Sequence, residues 1–214
     1  VVELQARFDE ENNIYWANKL NEEGATVIYG VPRLKVHSKL FLITMREKGK
    51  ETRIAHIGTG NFHENNARIY TDFSLFTKHK DICLEVDNVF SFISHSYRRF
   101  RFNHLIVSPL TSRRRLYQLI DNEQQNAEAG TKAEITLKLN NLVDHGLVNR
   151  LYSASQAGVK IKLIIRGMCS LKPGVKGLSE NIKAISIVDT FLEHPRVMVF
   201  ANAGDSQVFI SSAD

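Results

Sequence analysis

The sequence is poor in cysteine, proline and tryptophan, with two, four and one in 214 residues. Cys83 and Cys169 lie 86 positions apart. They form no CxxC pair and no disulfide framework, and read as buried apolar thiols of a reducing compartment. Twelve glycines and four prolines leave no low-complexity linker. No apolar run reaches the roughly 18 residues that a membrane-spanning helix needs. Val1-Val2-Glu3-Leu4 carries no basic n-region, so no signal peptide is expected from it. With 43% hydrophobic and 24% charged residues, disorder, collagen and coiled coil are excluded as well. Both ends read like strand interiors without cap or turn chemistry, so a piece of a longer protein is expected.

Charge is mildly one-sided. Net charge is +5. Residues 1–104 hold 15 basic and 13 acidic groups, and residues 105–214 hold 13 and 10. The excess is spread along the chain rather than held in a tail, which suits an anionic partner carrying phosphates.

Apolar runs of strand type alternate with helical patterns, predicting an α/β fold. A helix is expected over Asp9 to Glu23 with Gly24 closing it, then strands at Thr26 to Tyr29, Val36 to Thr44 and Arg53 to Ile57, and a helix over Ile82 to Ile93. Further on, Ile135 to Leu139 reads as a strand, Asn141 to Gln156 as a helix closed by Gly158, and Val159 to Arg166 as a strand. Residues 167–186 read as irregular, and Arg196 to Phe200 and Gln207 to Ser211 as strands. The two halves repeat each other. Leu4 to Gly24 spans 20 positions and Leu137 to Gly158 spans 21, each in the order strand, helix, glycine, strand. Each copy continues into a His-x-basic tripeptide, His37-Ser38-Lys39 and His194-Pro195-Arg196. Each then reaches a small-residue turn, Gly58-Thr59-Gly60-Asn61 and Ser211-Ser212-Ala213-Asp214. This is an internal duplication. Its break is expected near residues 95–110, giving domains 1–104 and 105–214.

In a strand, residues i and i+2 share a face. An imidazole beside an ammonium can attack phosphorus while the cation holds a phosphoryl oxygen. One such tripeptide is also what an ordinary polar-faced surface strand looks like. Two in register suggest two imidazoles facing each other across a cationic cleft, one as nucleophile and one serving the leaving group. The glycine turn offers N–H groups and the Asn61 amide to a phosphate, but lacks the Lys-Ser/Thr of a P-loop. His56 and His63 lack a completing Cys or carboxylate and read as structural. The arginines at 98, 99, 101 and 113–115 could line a path for a polyanion or form acid-paired surface.

Two His-x-Lys/Arg elements with Gly-Thr-Gly-Asn resemble the phospholipase D superfamily, whose phosphodiesterases carry HxKx4D. Here Thr44 and Ala201 stand where the acids would be. The absence of an acid is expected to spare a polyanionic substrate repulsion, and leaves open which group orients His37. Ala6-Arg7-Phe8-Asp9-Glu10-Glu11, Leu34 to Leu40, Ala55 to Phe62, Leu137 to Asp144, Arg166 to Ser170 and Glu193 to Val197 are similar to the bacterial polyphosphate kinase family of the phospholipase D-like type. The resemblance spans the chain. It implies two phospholipase D-like lobes, each a mixed sheet flanked by helices. It implies reversible transfer of the terminal phosphate of ATP to polyphosphate through a phosphohistidine, with Mg2+. By position, His37 matches the phosphorylated residue, with Lys39 beside it and His194 as the second catalytic histidine. Tyr70, Arg166, His194 and Asn61 match phosphate or nucleotide contacts. Arg7 matches a residue of the magnesium site; having donors only, it would hold phosphate oxygens that the metal also touches. The partners implied are ATP or ADP and inorganic polyphosphate, with no nucleic acid, and a homo-oligomer of the full-length protein. The place implied is the cytoplasm, with peripheral association at the inner membrane left open. A phospholipase D-like phosphodiesterase and a non-catalytic polyanion-binding module are the competing readings.

Overall fold

A computed structural model of the chain describes residues 1–3 and 10–213. Arg7, Asp214 and the expected strand at Leu4 lie outside the described residues. Two compact units emerge, residues 1–55 with 76–105, and residues 56–75 with 106–214.

In the first unit, α1 runs over Glu10–Glu22 and stops before Gly24, whose φ of +83° costs a glycine little. The expected strand at 26–29 shrinks to one parallel bridge, Val2 with Tyr29. Strands β1 (Lys39–Glu47) and β2 (Lys50–Gly58) are joined by the Lys48-Gly49 turn, with φ +49° and +76°. Beyond β2 the chain passes through α2 (Glu64–Ile69) and β3 (Tyr70–Thr71), which belong to the second unit, and returns through β4 (Ser74–Thr77) to α3 (Lys80–Ser94). Strands β1, β2 and β4 form one sheet in that order. Helix α3 buries Cys83, Val86 and Val89. Its Glu85, only 5% exposed, accepts bonds from the backbone N–H groups of Asn103, His104 and Leu105.

The second unit holds α4 (Ser112–Glu128), β5 (Glu134–Leu139), α5 (His145–Gln156), β6 (Lys160–Ile165), β7 (Ile182–Ile185), β8 (Leu192–Glu193), β9 (Arg196–Phe200) and β10 (Gln207–Ser211). The five-stranded sheet has the order β10-β9-β5-β6-β7. Strands β5, β6 and β7 are parallel, while β9 and β10 run antiparallel. Alternation decides the faces. Ile135, Leu137, Ile161, Leu163, Met198 and Phe200 face the core with Leu119 and Ile120 of α4 and Leu151 and Ala154 of α5. The intervening residues, Thr136, Lys138, Lys160, Lys162 and Val197, are half-buried or exposed. That is why β6 reads Lys-Ile-Lys-Leu and not as a continuous apolar run. The fold is mixed α/β with helices flanking sheets, as expected.

Three elements of the second unit depart most from the sequence reading. Helix α5 starts at His145, not Asn141, because the Asp144 carboxylate caps Leu147 N–H at 2.9 Å while Leu142 is drawn into a bridge with Cys169. Helix α4 occupies a stretch read only as basic clusters. Two ion pairs tie it to α5 and its cap, Arg113 to Asp144 and Asp121 to Arg150. Strand β7 lies inside the segment read as irregular, four residues being too short to show a period.

Glu123 on α4 is fully buried. Its carboxylate accepts the N–H groups of Glu134 and Asn202, fastening α4 to the start of β5 and to the turn after β9. Burial pushes its pKa up, against the pull of those two bonds. Replacing Glu123 by Ala leaves two buried donors without acceptors. The unfolding free energy in urea should fall by about 2–4 kcal/mol.

Candidate active site

His37 and His194 each stand just ahead of a strand, β1 and β9, rather than inside it. The reason is the cation two residues on. Lys39 folds back so that Nζ donates to the His37 carbonyl at 2.6 Å and lies 3.1 Å from Nδ1 of its ring. Arg196 does the same, with Nη1 3.0 Å from both the carbonyl and Nε2 of His194. Lys39 is 6% and Arg196 2% exposed. The duplicated tripeptide is therefore a duplicated structural device, a buried cation that clasps its own histidine.

The two copies differ in which nitrogen is clasped. Lys and Arg are donors only. In the first copy Nδ1 of His37 accepts from Lys39. In the second, Nε2 of His194 accepts from Arg196, so Nδ1 carries the proton and donates it to Asp72 Oδ1 at 2.8 Å. The neutral tautomer of His194 is thus assigned by its partners.

The sequence reading found no acid for either histidine at Thr44 or Ala201, yet a carboxylate, that of Asp72, stands on His194. The carboxylate comes from a segment 122 residues away, in place of the one missing at Ala201. It is itself held. The Thr59 hydroxyl donates to it at 2.6 Å, and a Cβ at Gly60 would collide with it. The Gly-Thr-Gly-Asn turn is accordingly a seat for Asp72. The Thr59 N–H is taken by the Phe73 carbonyl at 3.0 Å and the Thr59 hydroxyl also accepts from Phe73 N–H, while Asn61 lies exposed at the end of the turn. The two-residue parallel ladder of β3 and β8 brings these parts together, pairing Tyr70 with Leu192 and Thr71 with Glu193. The Tyr70 ring lies 5.1 Å from that of His194, tilted by 35°.

Burial is the largest influence on His194 and lowers its pKa. Asp72 raises it, and the charges of Arg196 and Arg166 lower it further. The outcome is a histidine below its usual value, neutral at pH 7. Arg166, at the end of β6, has its Nε buried without a hydrogen-bond partner, as expected of a guanidinium shaped for an outside anion. A cavity of about 350 Å³ is lined by Thr71, Asp72, Thr136, Lys138, Glu193 and Pro195 among others, and His194 is not part of its lining. Lys138 reaches the Glu193 carboxylate at 3.0 Å and the Pro195 carbonyl at 3.2 Å, bracing both sides of His194.

Of the residues expected from sequence, Tyr70, Arg166 and His194 are thus gathered in one unit. Lys39 clasps His37 in the other, and Arg7 lies outside the described residues. His63 caps α2 by accepting Asn66 N–H, and His56 is buried against Phe62, which lowers its pKa. The sequence reading missed Asp72, Thr59, Lys138 and Glu193. One signal for Asp72 was present: Tyr70 and Asp72 share a face in extended chain.

Comparison with known proteins agrees on one family. The family model described as polyphosphate kinase C-terminal domain 1 matches residues 1–99, and polyphosphate kinase C-terminal domain 2 matches residues 105–214. A polyphosphate kinase of Vibrio vulnificus strain YJ016 is 64% identical over all 214 residues, which cover 31% of that protein. One of Escherichia coli strain K12 is 58% identical over the same span, again 31% of its length. The crystal structure of polyphosphate kinase from Porphyromonas gingivalis superposes with a TM-score of 0.86 at 40% identity, over 99% of this chain and 35% of that one. The chain spans about a third of the length of these relatives.

Asp72 holds the His194 pKa up against burial and two arginines, so its removal has a definite sign. In Asp72→Asn the His194 ring should titrate at still lower pH than in the parent, read from its imidazole resonances by NMR. An unchanged or higher value would show that the 2.8 Å bond does not govern the ring.

Proposed function

The chain belongs to the polyphosphate kinase family, and on that premise we propose that it carries the phosphoryl-transfer residues of an ATP:polyphosphate phosphotransferase working through a phosphohistidine. The observation that carries the reading is the pair of cation-clasped histidines, one of them set in a single tautomer by Asp72 beside the unpartnered Arg166 Nε.

Phosphoryl transfer is chiefly positioning and charge stabilisation. His37 takes the terminal phosphate. A bond forms from a ring nitrogen to the γ-phosphorus, the bond to the β,γ-bridging oxygen breaks, and ADP leaves with the electron pair. Lys39 first lies on the ring, where it engages a lone pair. A phosphate oxygen is the stronger acceptor, so the arriving nucleotide draws the ammonium from imidazole to phosphate and releases that lone pair. In the second half, a terminal oxygen of the polymer attacks the phosphorus and the P–N bond breaks. Arg166 clamps phosphate oxygens. His194, with its Nδ1–H given to Asp72 and its Nε2 held by Arg196, serves as a neutral ring that borders the phosphates and fixes Arg196, rather than as a free base.

Mg2+ enters this reading as the ion carried by the nucleotide, screening its phosphates. Among the described residues no group of three His, Cys, Asp or Glu side chains gathers around His194. Asp72 is engaged by Thr59 and His194. These residues do not form an oxygen-rich Mg2+ site, and the steps above are carried by side chains of the chain alone. ATP or ADP and polyphosphate as partners, a homo-oligomer and a cytoplasmic setting, including the periphery of the inner membrane, belong to the same proposal. Among the described residues no helix is long and apolar enough to cross a membrane.

Incubation of the intact protein with γ-labelled ATP should give acid-labile label at His37. His37→Ala should lose both label and polymer synthesis; label that persists in this variant would end the assignment. Lys39→Met should slow turnover about 100-fold. Because His194 works as the neutral ring, activity should hold above its lowered pKa and decline as the pH falls through it. In Asp72→Asn that acid limb should move to lower pH, measured as kcat/KM against pH.

A further inference from the structure

We propose that His79, Asp81 and His104 form a binding site for a divalent transition-metal ion of the Zn2+ or Co2+ kind, separate from the phosphoryl-transfer residues. The three side chains come from two segments of one unit and are all exposed. One ligand atom from each lies within 4.8 Å of the other two. His104 Nε2 is 3.8 Å from Asp81 Oδ2, and the two imidazole rings are 5.3 Å apart at 62°.

The supports of this cluster are firmer than its exposure suggests. His79 stands at the N-cap position of α3 without a side-chain capping bond, its backbone N–H bonded to the Thr77 hydroxyl at 3.0 Å. Asp81 follows in the first turn. His104 arrives from the loop beyond the helix and is anchored by Glu85, one turn after Asp81 on the same helix. The buried Glu85 carboxylate takes the N–H groups of residues 103, 104 and 105 at 2.7–3.2 Å. The backbone carrying all three ligands is thereby held, and only exposed side chains need rotate. Metal–ligand bonds of about 2.0–2.2 Å place tetrahedral ligand atoms about 3.4 Å apart. From 3.8–4.8 Å, closure needs shifts of about 1 Å or less per side chain.

Donor chemistry selects the ion. Two imidazoles and one carboxylate favour Zn2+, Co2+, Ni2+ or Cu2+ and are a poor set for Mg2+, which demands oxygen. The positive end of α3 and Lys78 and Lys80 on either side oppose a dication, so micromolar rather than nanomolar affinity is expected. The bound ion would tie the start of α3 to segment 103–105, which falls where the first matched domain ends and the second begins.

The test is titration of the intact protein with Co2+, then Zn2+, in phosphate-free buffer. One equivalent of Co2+ should give a visible ligand-field band that Zn2+ abolishes. The band should vanish, and Zn2+ affinity by calorimetry fall at least tenfold, in the double variant His79→Ala/His104→Ala. Asp81→Asn should weaken binding less, and His95→Ala should match the parent. Matching far-UV circular dichroism would establish that the exposed substitutions leave the fold intact. Should a variant misfold, hydrogen exchange at Asn103–Leu105 in the parent, slowed by Zn2+, serves in its place. Parent protein without a one-equivalent site, a double variant binding as the parent does, unaltered exchange at 103–105, or preference for Mg2+ over Zn2+ would each overturn the assignment.

Discussion

Most of the second unit's chemistry depends on one chain of hydrogen bonds, Thr59 to Asp72, His194 to Asp72 and Arg196 to His194. Each member limits the next. The hydroxyl and the lack of a Cβ at Gly60 hold the carboxylate in place. The carboxylate takes the Nδ1 proton, and the guanidinium, a donor only, takes the remaining lone pair. Remove the carboxylate, and a largely buried imidazole among arginines has nothing to favour its charged form and only Arg196 to set its tautomer.

The clasp repeats in both units but is not symmetric. Lysine engages Nδ1 of His37 and arginine engages Nε2 of His194. Each cation holds two acceptors of its own histidine, but an ammonium is a compact point charge on a flexible stem, whereas a guanidinium is a rigid planar fork. On the proposed mechanism the duplicated tripeptide serves two roles from one geometry, with a cation that moves to phosphate in the first copy and one that stays on the ring in the second.

Buried carboxylates do comparable structural work in both units. Glu85 gathers three successive N–H groups beyond α3, and Glu123 gathers two from separate segments. Neither carboxylate faces a cation in these contacts. Backbone dipoles satisfy them, so helices are fastened to loops that have little apolar surface to bury.

How much was legible follows from how far each interaction reaches along the chain. The α/β class, the helices ended by Gly24 and Gly158, the alternation of β6 and the repeated His-x-cation pair are local in sequence, and periodicity and spacing displayed them. Helix α4 and strand β7 escaped because one is dominated by charges and the other is shorter than a readable period. Asp72 could not be paired with His194, because their bond crosses 122 positions and depends on the two-residue ladder between β3 and β8. The sequence by itself determined which histidines have a cation two residues on. Only the tertiary structure decided which nitrogen of each ring is engaged and which acid orients His194, because hydrogen-bond direction is set by atoms meeting in space from segments far apart in the chain.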